Sequence, residues 1–410
     1  VGNLLGDRSL AAVTSTGTLV FLLVGFFAGI FMGAGVVISR YFGSRETEKM
    51  RKAVHNAILF ALLSGTALTL IGTTLTPIIL GWMGTPAEVM PQSVTYIRIY
   101  FLGGLGLSLY NSCMGIMQAV GDSRHPLYYL IISSVTNVCL DLLFIGVFRM
   151  GVDGAALATI LAQFLSAALC LRRLFRTKED HRLVLREIRP DREMLRLILR
   201  YGLPSGFQNS VIGFANVVVQ SNINAFGELA MSGCGAYAKV EGFAFLPITS
   251  FTSAITTFVG QNLGAEEFDR AKKGARFGIL CSLLIAEGIG VITHVFSPVF
   301  IGAFCDSQEA IAFGVDKAHI CALFFCLLAA THCLSAVLRG AGRAMVPMVV
   351  MLSVWCVLRV SILWIAVPIT QSINTVNWVY PITWSISSVV LLIYYRKSDW
   401  LHSFQREKAE

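Results

Sequence analysis

A single sequence register relates the first half of this chain to the second. When the sequence is shifted by 221 positions, glycines and prolines coincide without a gap, as Gly43 does with Gly264 and Pro77 with Pro298. The surrounding sequence agrees too, since QAVGDSRHP at 118–126 lies over RGAGRAMVP at 339–347. Chance rarely preserves one register over so many positions. The chain is therefore predicted to contain two copies of one structural unit.

The composition indicates that each copy lies in a membrane. Of the 410 residues, 55% are hydrophobic and 14% are charged, whereas soluble domains carry about 25% charged residues. The apolar runs reach roughly 20 residues, the length of a membrane-spanning helix, while barrel strands need only about 10 residues of alternating polarity. The predicted fold class is an all-α polytopic membrane protein in contact with the lipid bilayer.

Eleven apolar runs predict eleven membrane-spanning helices. Charged blocks and turn residues separate these runs. They lie at 10–39, 53–79, 92–120, 125–148, 152–174, 200–225, 232–260, 273–301, 310–338, 344–369 and 373–395.

The distribution of lysine and arginine predicts the orientation. Basic residues concentrate in 40–52, 172–200 and 396–408. The alternate loops 80–91, 226–231, 302–309 and 370–373 have none, and Arg149 is the one exception on an outer loop. By the positive-inside rule, the basic loops and the C-terminus face the cytoplasm of a multi-pass cell-membrane (inner or plasma membrane) protein. The net charge of +8 lies beside the spans, so it does not indicate a nucleic-acid partner.

The repeat also predicts a helix that the chain does not contain. The span at 200–225 would have its partner 221 positions earlier, which falls before Val1. We therefore expect two six-helix lobes with 11 of 12 helices present, although a natural eleven-span protein is the alternative. The predicted domains are an N-terminal lobe at 1–175, a cytoplasmic linker at 176–199, a C-terminal lobe at 200–396 and a cytoplasmic tail at 397–410.

Two polar residues of one predicted helix form a candidate ion site. Asn137 and Asp141 are four residues apart, so they share a helix face. Ionisable groups inside membranes are costly and usually functional, and a carboxylate beside an amide can bind H⁺ or Na⁺. A carboxylate at a helix terminus, or a packed and hydrogen-bonded polar pair, is the alternative.

Polar residues of the second half suggest a substrate cavity. Gln208, Asn209 and Asn216 are expected to form a stripe of hydrogen-bonding groups, although they could instead join helices. Lys239 and Glu241 are two positions apart, so they should face different directions and find separate partners. For these two residues, a role in transport and a structural ion pair both remain open.

Other polar residues of the predicted spans have simpler interpretations. Arg359 is interpreted as a structural anchor that needs a counter-ion or backbone carbonyls. Lys317 lies near an outer helix end, from which it is expected to snorkel to the interface. Glu287, His319 and His332 are isolated, and the histidines are expected to be packed and hydrogen-bonded.

The sequence contains no motif that indicates an enzyme. We find no P-loop, no GxSxG elbow and no HExxH motif. The ten cysteines are scattered through apolar segments, which favours buried thiols over disulfides or a metal site. We therefore expect no enzymatic activity and no cofactor, with Na⁺ or H⁺ as the coupling ion for any uphill transport.

Several segments resemble the multidrug and toxic compound extrusion (MATE) family. They are VGNLLG at 1–6, AVGDSRHP at 119–126, GVDGAALAT at 151–159, YGLPS at 201–205, GQNLGA at 260–265 and LRGAG at 338–342. The resemblance implies a V-shaped pair of six-helix lobes that exchange Na⁺ or H⁺ for organic cations.

The resemblance extends to part of the family's ion sites. Asn137 and Asp141 resemble a pair in the fifth helix of some members. Those members also use an Asp in the first helix, which this chain does not contain. Other members use a Glu in the seventh helix and an Asp in the tenth; 200–225 has no acid, and 310–338 has only Asp316, near its outer end. Lys239 and Glu241 resemble a Lys-x-acid pair of the eighth helix.

The sequence therefore predicts a monomeric secondary antiporter. It would export cationic or amphiphilic drug-like compounds in exchange for Na⁺ or H⁺ by alternating access of its two lobes. A flippase for a lipid-linked oligosaccharide is the alternative, and its cavity should be strongly basic in order to hold a pyrophosphate. A receptor without transport activity is the third class.

Overall fold

The computed structural model describes residues 7–82, 90–305 and 307–409, and the side chains of 23–81, 90–305 and 307–407. Within these ranges every regular element is helical, which confirms the all-α prediction. Two compact units, residues 1–206 and 207–410, divide the chain. The division falls inside the helix Arg192–Asn224, which begins in the predicted linker.

Seven helices start in the first unit. They are α1 (Asp7–Gly43), α2 (Thr47–Trp82), α3 (Met90–Leu102), α4 (Gly104–Ala119), α5 (Arg124–Asp141), α6 (Val152–Arg176) and α7 (Arg192–Asn224). A π-helical segment, Leu142–Val147, continues α5, and a 3₁₀ turn, Leu185–Glu187, precedes α7.

The second unit holds eight further helices. They are α8 (Glu228–Gly264), α9 (Phe268–Gly302), α10 (Gln308–Cys321), α11 (Phe325–Gly340), α12 (Met345–Met351), α13 (Arg359–Thr370), α14 (Ile373–Lys397) and α15 (Ser403–Ala409). The 3₁₀ turn Ala322–Phe324 joins α10 to α11, and the π-helical segment Leu352–Leu358 joins α12 to α13.

Each of the eleven predicted spans coincides with helical structure. In the described part of the chain, nine helices are long and apolar enough to cross a membrane, and α3 with α4, bent by 46° at Gly103, makes a tenth. Helix α7 fails the same test because it carries several amides and, in its first turns, arginines. Sequence periodicity did not predict the bend, the π-helical segments or the 3₁₀ break.

The backbone reproduces the 221-residue repeat. Helix α8 has the bounds of α1 shifted by 221 positions. Arg45 and Glu266, at equivalent positions, both adopt left-handed conformations with φ of 58° and 59°, and Gly121 and Gly342 have φ of 93° and 75°. Such positive φ angles are uncommon for residues other than glycine. The two halves therefore share the geometry of their turns as well as the order of their helices.

Burial is consistent with a lipid environment. Large apolar side chains cover the outside of the helices, as shown by Trp364, which is 85% exposed, and Ile369, which is 77% exposed. In water, an apolar surface of this extent would cause association. The multi-pass membrane prediction is confirmed.

A close crossing of two helices occurs within the first unit. Gly29 and Gly33 of α1 face Gly202 and Gly206 of α7 with almost no space between the backbones. A Cβ atom added at Gly206 would lie 2.7 Å from the carbonyl oxygen of Phe26. Both helices use glycines four residues apart, the pattern that allows membrane helices to approach closely.

The segment that precedes α7 is bound to the start of α2. The amide of Val184 donates to Nε2 of His55 at 3.0 Å, and the amide of Asp191 donates to Oδ1 of Asn56 at 2.8 Å. Arg51 donates to both carboxylate oxygens of Glu187, at 2.6 and 2.8 Å. The predicted linker is thus held to the first unit by backbone and side-chain hydrogen bonds.

Candidate ion and substrate sites

The first unit brings Asn137 and Asp141 together as predicted. Both side chains are partly buried on one face of α5, one turn apart. Nδ2 of Asn137 and Oδ1 of Asp141 are buried and have no hydrogen-bond partner in the part of the chain that the structure describes. Asp141 is the last residue of α5 before the π-helical segment, and such segments occur frequently at functional sites.

A tyrosine of the same unit lies near this pair, and a second tyrosine and an amide adjoin that tyrosine. Tyr96 of α3 is within electrostatic range of Asp141. The ring of Tyr96 stacks on Tyr100 with centroids 6.4 Å apart, and Nε2 of Gln163 donates to the Tyr100 hydroxyl at 3.5 Å. Oε1 of Gln163 is buried without a hydrogen-bond partner among the described side chains. Reasoning from the sequence missed these three residues because they lie on helices distant in sequence from α5.

The chemistry of this cluster suits a hard cation. It supplies one carboxylate and several neutral oxygen atoms from amides and phenols, which are the ligand types that protons and small hard cations prefer. Because the environment is partly buried, the attraction between the carboxylate and a cation is stronger than it would be in water. We define Asn137, Asp141, Tyr96, Tyr100 and Gln163 as the acidic cluster.

The structure separates the amides of α7. Gln208 is 1% exposed, and its Oε1 has no partner in the described part of the chain, whereas Asn209 is partly buried and Asn216 is exposed. Asn209 and Asn216 are seven residues apart and share a face of the helix. The stripe predicted from sequence thus holds two of the three amides, and Gln208 points elsewhere.

Lys239 and Glu241 face different directions, as predicted. Lys239 is exposed, and its Nζ lies 5.1 Å from the ring centroid of Phe304. Glu241 is partly buried and interacts electrostatically with Lys317 and Arg359. The two residues therefore have separate partners, and a shared ion pair between them is excluded.

Arg359 is fully buried in the second unit. One Nη atom of Arg359 donates to Oγ1 of Thr383 at 2.7 Å. The guanidinium carbon lies 4.8 Å from the ring centroid of Trp355 and 4.9 Å from that of Tyr380. The sequence called for a counter-ion without naming one, and in the structure Glu241 is the acid that interacts with Arg359. The aromatic stacking could not be predicted without the fold.

The expectation that Lys317 snorkels to the interface was wrong. Lys317 is 4% exposed, and its Nζ lies 4.8 Å from the centroid of Tyr380 and 5.4 Å from that of Tyr237. The face of α10 that carries Lys317 packs against α8 and α14. The distance of a residue from a helix end does not reveal which face it occupies.

The isolated residues have local roles. A carboxylate oxygen of Glu287 accepts from the amide of Cys326 at 3.0 Å, in the first turn of α11, where a negative charge is stabilised by the helix dipole. His332 packs edge-on against Phe245 and Trp355. His319 packs against His294 and lies 3.3 Å from the hydroxyl of Ser297. Both histidines are packed, as predicted, but the expected hydrogen bonding holds only for His319, since Nε2 of His332 is buried without a hydrogen-bond partner among the described residues.

Fold and site together define a class of protein. Repeated units of long membrane helices, each with polar groups buried in its interior, are typical of secondary transporters. The family model MatE matches residues 1–143 and 204–365. The chain belongs to the MATE family of efflux transporters and is embedded in a membrane.

Individual relatives agree with this assignment. The probable multidrug resistance protein YoeA of Bacillus subtilis is 30% identical over 405 residues, which cover 97% of this chain and 87% of the relative. YpnP, a second probable multidrug resistance protein of B. subtilis, is 30% identical over 363 residues, or 88% and 80% of the two chains. An outward-facing MATE transporter structure, 22% identical, superposes with a TM-score of 0.91 over 98% of this chain and 90% of that one. This last match shows the fold alone.

Proposed function

We propose that this transporter exports cationic or amphiphilic drug-like compounds in exchange for Na⁺ or H⁺, and that Asp141 and Asn137 hold the coupling ion. The observation that carries the proposal is Oδ1 of Asp141, a buried carboxylate oxygen that has no hydrogen-bond partner among the described residues, one helical turn from Asn137. Burying a carboxylate oxygen without a partner costs free energy, which a bound proton or cation recovers, while Nδ2 of Asn137 is a donor and can bond only to an acceptor such as an ordered water. We further propose that the transporter acts as a monomer with its C-terminus in the cytoplasm.

Exchange depends on whether the Asp141 carboxylate is ionised or is neutralised by a bound Na⁺ or H⁺. When Asp141 is ionised, it attracts a cation from the side to which the transporter is open. Binding of Na⁺ or H⁺ neutralises the site, which lowers the cost of enclosing it in the membrane. An ion gradient then biases the equilibrium between the two access states, provided that the two states bind the ion with different affinities. Both ions require the same deprotonated carboxylate.

The substrate class rests on neutral hydrogen-bonding groups and on the relatives' names. Asn209 and Asn216 offer amides on one face of α7, and Glu241 offers the acid of the second unit. Gln208 and Lys239 are the remaining candidate residues of the substrate cavity. YoeA and YpnP are each named a probable multidrug resistance protein. A lipid-linked oligosaccharide flippase is not favoured, because the buried bases Lys317 and Arg359 are stacked on aromatic rings and do not line a broad basic surface.

Flux measurements with the full-length protein test the ion site. Inverted membrane vesicles would be loaded with the fluorescent cation ethidium under imposed Na⁺ or H⁺ gradients. We expect Asp141→Asn to lower gradient-driven ethidium uptake by at least about tenfold, since an amide cannot exchange a proton or balance a cation. Comparison of the two gradients in the unsubstituted protein identifies the ion.

Asp153→Asn provides the matched control. Asp153 lies in the first turn of α6, twelve positions after Asp141, and is not part of the acidic cluster. Uptake should remain near the unsubstituted level. If Asp141→Asn transports as well as Asp153→Asn, Asp141 does not hold the coupling ion.

A further inference from the structure

The second unit contains buried hydrogen-bond donors that have no acceptor. Nε and Nη1 of Arg359, Nδ2 of Asn377 and the hydroxyl of Tyr237 are buried and unpartnered among the described residues, as is one acceptor, Oδ1 of Asn377. Each of the three side chains is 0% exposed. Aromatic rings stack on the guanidinium, but a π face does not replace a lone-pair acceptor for an N–H group. Buried donors are normally satisfied, so these atoms require an explanation.

These donors belong to neighbouring side chains. Lys317 and Arg359 both lie within 5 Å of the Tyr380 ring, measured from Nζ and from the guanidinium carbon. Tyr237 lies beside Lys317, and Asn377 is one turn before Tyr380 on α14. We call Tyr237, Lys317, Arg359, Asn377 and Tyr380 the basic cluster.

The charge of the basic cluster is not balanced. Within the described part of the chain, Glu241 is the one acid that interacts with the two cations. Two positive charges against one negative charge leave an excess of one. In a low-dielectric interior an uncompensated charge costs several kcal/mol, far more than at a surface. An anion that binds between Lys317 and Arg359 would remove this cost.

The repeat shows that this charge is specific to the second unit. Lys317 falls on Tyr96 in the shift of 221 positions, and Arg359 falls on Val138. In the first unit, Tyr96 lies near a carboxylate, that of Asp141. The same part of the helix scaffold therefore carries an acidic cluster in one copy and a basic cluster in the other.

We infer that the basic cluster is a binding site for a monovalent anion, either a halide or the carboxylate of an organic molecule. Lys317 and Arg359 supply the charge, and Asn377 and Tyr237 supply neutral donors. The single negative charge of such an anion balances the one excess positive charge of the basic cluster. Its hydrogen bonds would come from the unpartnered donors named above. This site lies in the second unit and does not depend on the ion assigned to Asp141.

Bromide binding to the purified full-length protein tests the inference. Bromide quenches tryptophan fluorescence on contact, and Trp355 lies against Arg359. Sodium bromide would be titrated against sodium gluconate at constant ionic strength, with Trp355→Phe to identify the responding residue. We expect quenching that saturates and that Trp355→Phe removes. Quenching that rises linearly without saturation, or that is unchanged in Trp355→Phe, overturns the site.

Two substitutions should move the bromide affinity in opposite directions. Lys317→Gln removes a cation of the site and should weaken binding by at least about tenfold, since hydrogen bonds to charged groups contribute about 1.5–3 kcal/mol. Glu241→Gln removes the competing acid and should tighten binding several-fold. If the basic cluster had only a structural role, neither variant would bind bromide more tightly. Glu241→Gln therefore still tests the inference if Lys317→Gln does not fold.

Lys239→Gln is the matched control for charge. Lys239 lies on the same helix as Glu241 but contacts Phe304 instead of the basic cluster. Its substitution should leave bromide affinity unchanged, and an effect equal to that of Lys317→Gln would mean that general charge, not the site, attracts the anion.

Competition identifies the source of the anion. Sodium chloride and sodium acetate would each be added to the bromide-saturated protein. Displacement by chloride alone assigns a halide site, and displacement by acetate at lower concentration assigns a carboxylate site. If neither anion displaces bromide, the quenching does not report on an anion site and the inference is wrong.

Discussion

Helix α5 of the first unit and its repeat equivalent in the second unit, α12 to α13, carry charges of opposite sign. Residues 124–147 of the first unit include Asp141, and the equivalent residues of the second unit include Ile362 in its place and Arg359 three positions earlier. A π-helical segment begins directly after Asp141 and ends directly before Arg359. The duplicated scaffold thus conserves where the helices run, but it does not conserve the sign of the charge they bury.

The turns before these helices show the same inversion. Gly121 and Gly342 form equivalent left-handed turns, followed by Asp122 in one copy and Arg343 in the other. Asp122 pairs with His125 at 2.7 Å, whereas Arg343 donates to the hydroxyl of Tyr394 at 3.0 Å. Backbone geometry is restricted by sterics at the glycine, while the neighbouring side chain is free to change.

The largest expected effect tests the close crossing of α1 and α7 in the first unit. Gly33→Val should prevent a stable fold, because a Cβ at Gly33 would overlap the backbone of Gly202. Overpacking costs about 1–3 kcal/mol when side chains can move, and more when the obstacle is backbone. The yield of monodisperse protein on size exclusion, together with its unfolding temperature, measures the effect.

The repeat supplies the control for this substitution. Ala254 is the equivalent residue of the second unit and is exposed. Ala254→Val should leave the yield and the unfolding temperature nearly unchanged. Equal tolerance at both positions would contradict the close crossing of α1 and α7.

A second substitution removes the base that α13 carries and α5 lacks. Arg359→Met should destabilise the protein by about 1 kcal/mol net, because the loss of the donor to Thr383 and of one of the two cations beside Glu241 outweighs the relief of the excess positive charge and of the unpartnered N–H groups. Val138→Met, at the equivalent position, should have little effect since Val138 is 57% exposed. Unfolding temperatures of the two purified variants give the comparison, and similar values would show that Arg359 is not an anchor.

A third substitution weakens the acidic cluster without removing its charge. Asn137→Ala should raise the ion concentration for half-maximal ethidium transport by about tenfold, the effect of losing one hydrogen bond to a charged site. Leu358→Ala, its equivalent in the second unit, should not change the ion dependence. Unchanged ion dependence in Asn137→Ala would restrict the ion site to Asp141 and the tyrosines.

Sequence reasoning predicted the parts of the structure that follow from local pattern. Apolar runs predicted the helices, and the spacing of Asn137 and Asp141 predicted that they share a face. The partners of Asp141 and Glu241 could not be predicted, because Tyr96, Lys317 and Arg359 come from other helices whose rotation depends on packing. Lys317 shows the limit most clearly, since its position near a helix end suggested exposure and its helix face determined burial.

The smallest expected effect concerns two matched pairs of an acid and a histidine. Asp122 with His125 and Asp399 with His402 are each three residues apart, with Nδ1 to carboxylate distances of 2.7 Å. The hydrogen bond from His402 lowers the pKa of the Asp399 carboxyl. A lowered folded-state pKa contributes stability above the ordinary carboxyl pKa of about 3.9, and this contribution is lost as the pH falls through the folded value.

The Asp399 pair should therefore hold the C-terminal helix α15 at neutral pH and release it only under strong acid. Asp399→Asn should increase proteolytic cleavage of α15 a few-fold at pH 7, because both His402 and Arg406 lose a charged partner. Asp122→Asn changes the equivalent type of pair in the other unit and should leave that cleavage rate unchanged. Equal cleavage of the Asp399→Asn and unsubstituted proteins would mean that the buried Trp400 and Phe404 hold α15 without help from the pair.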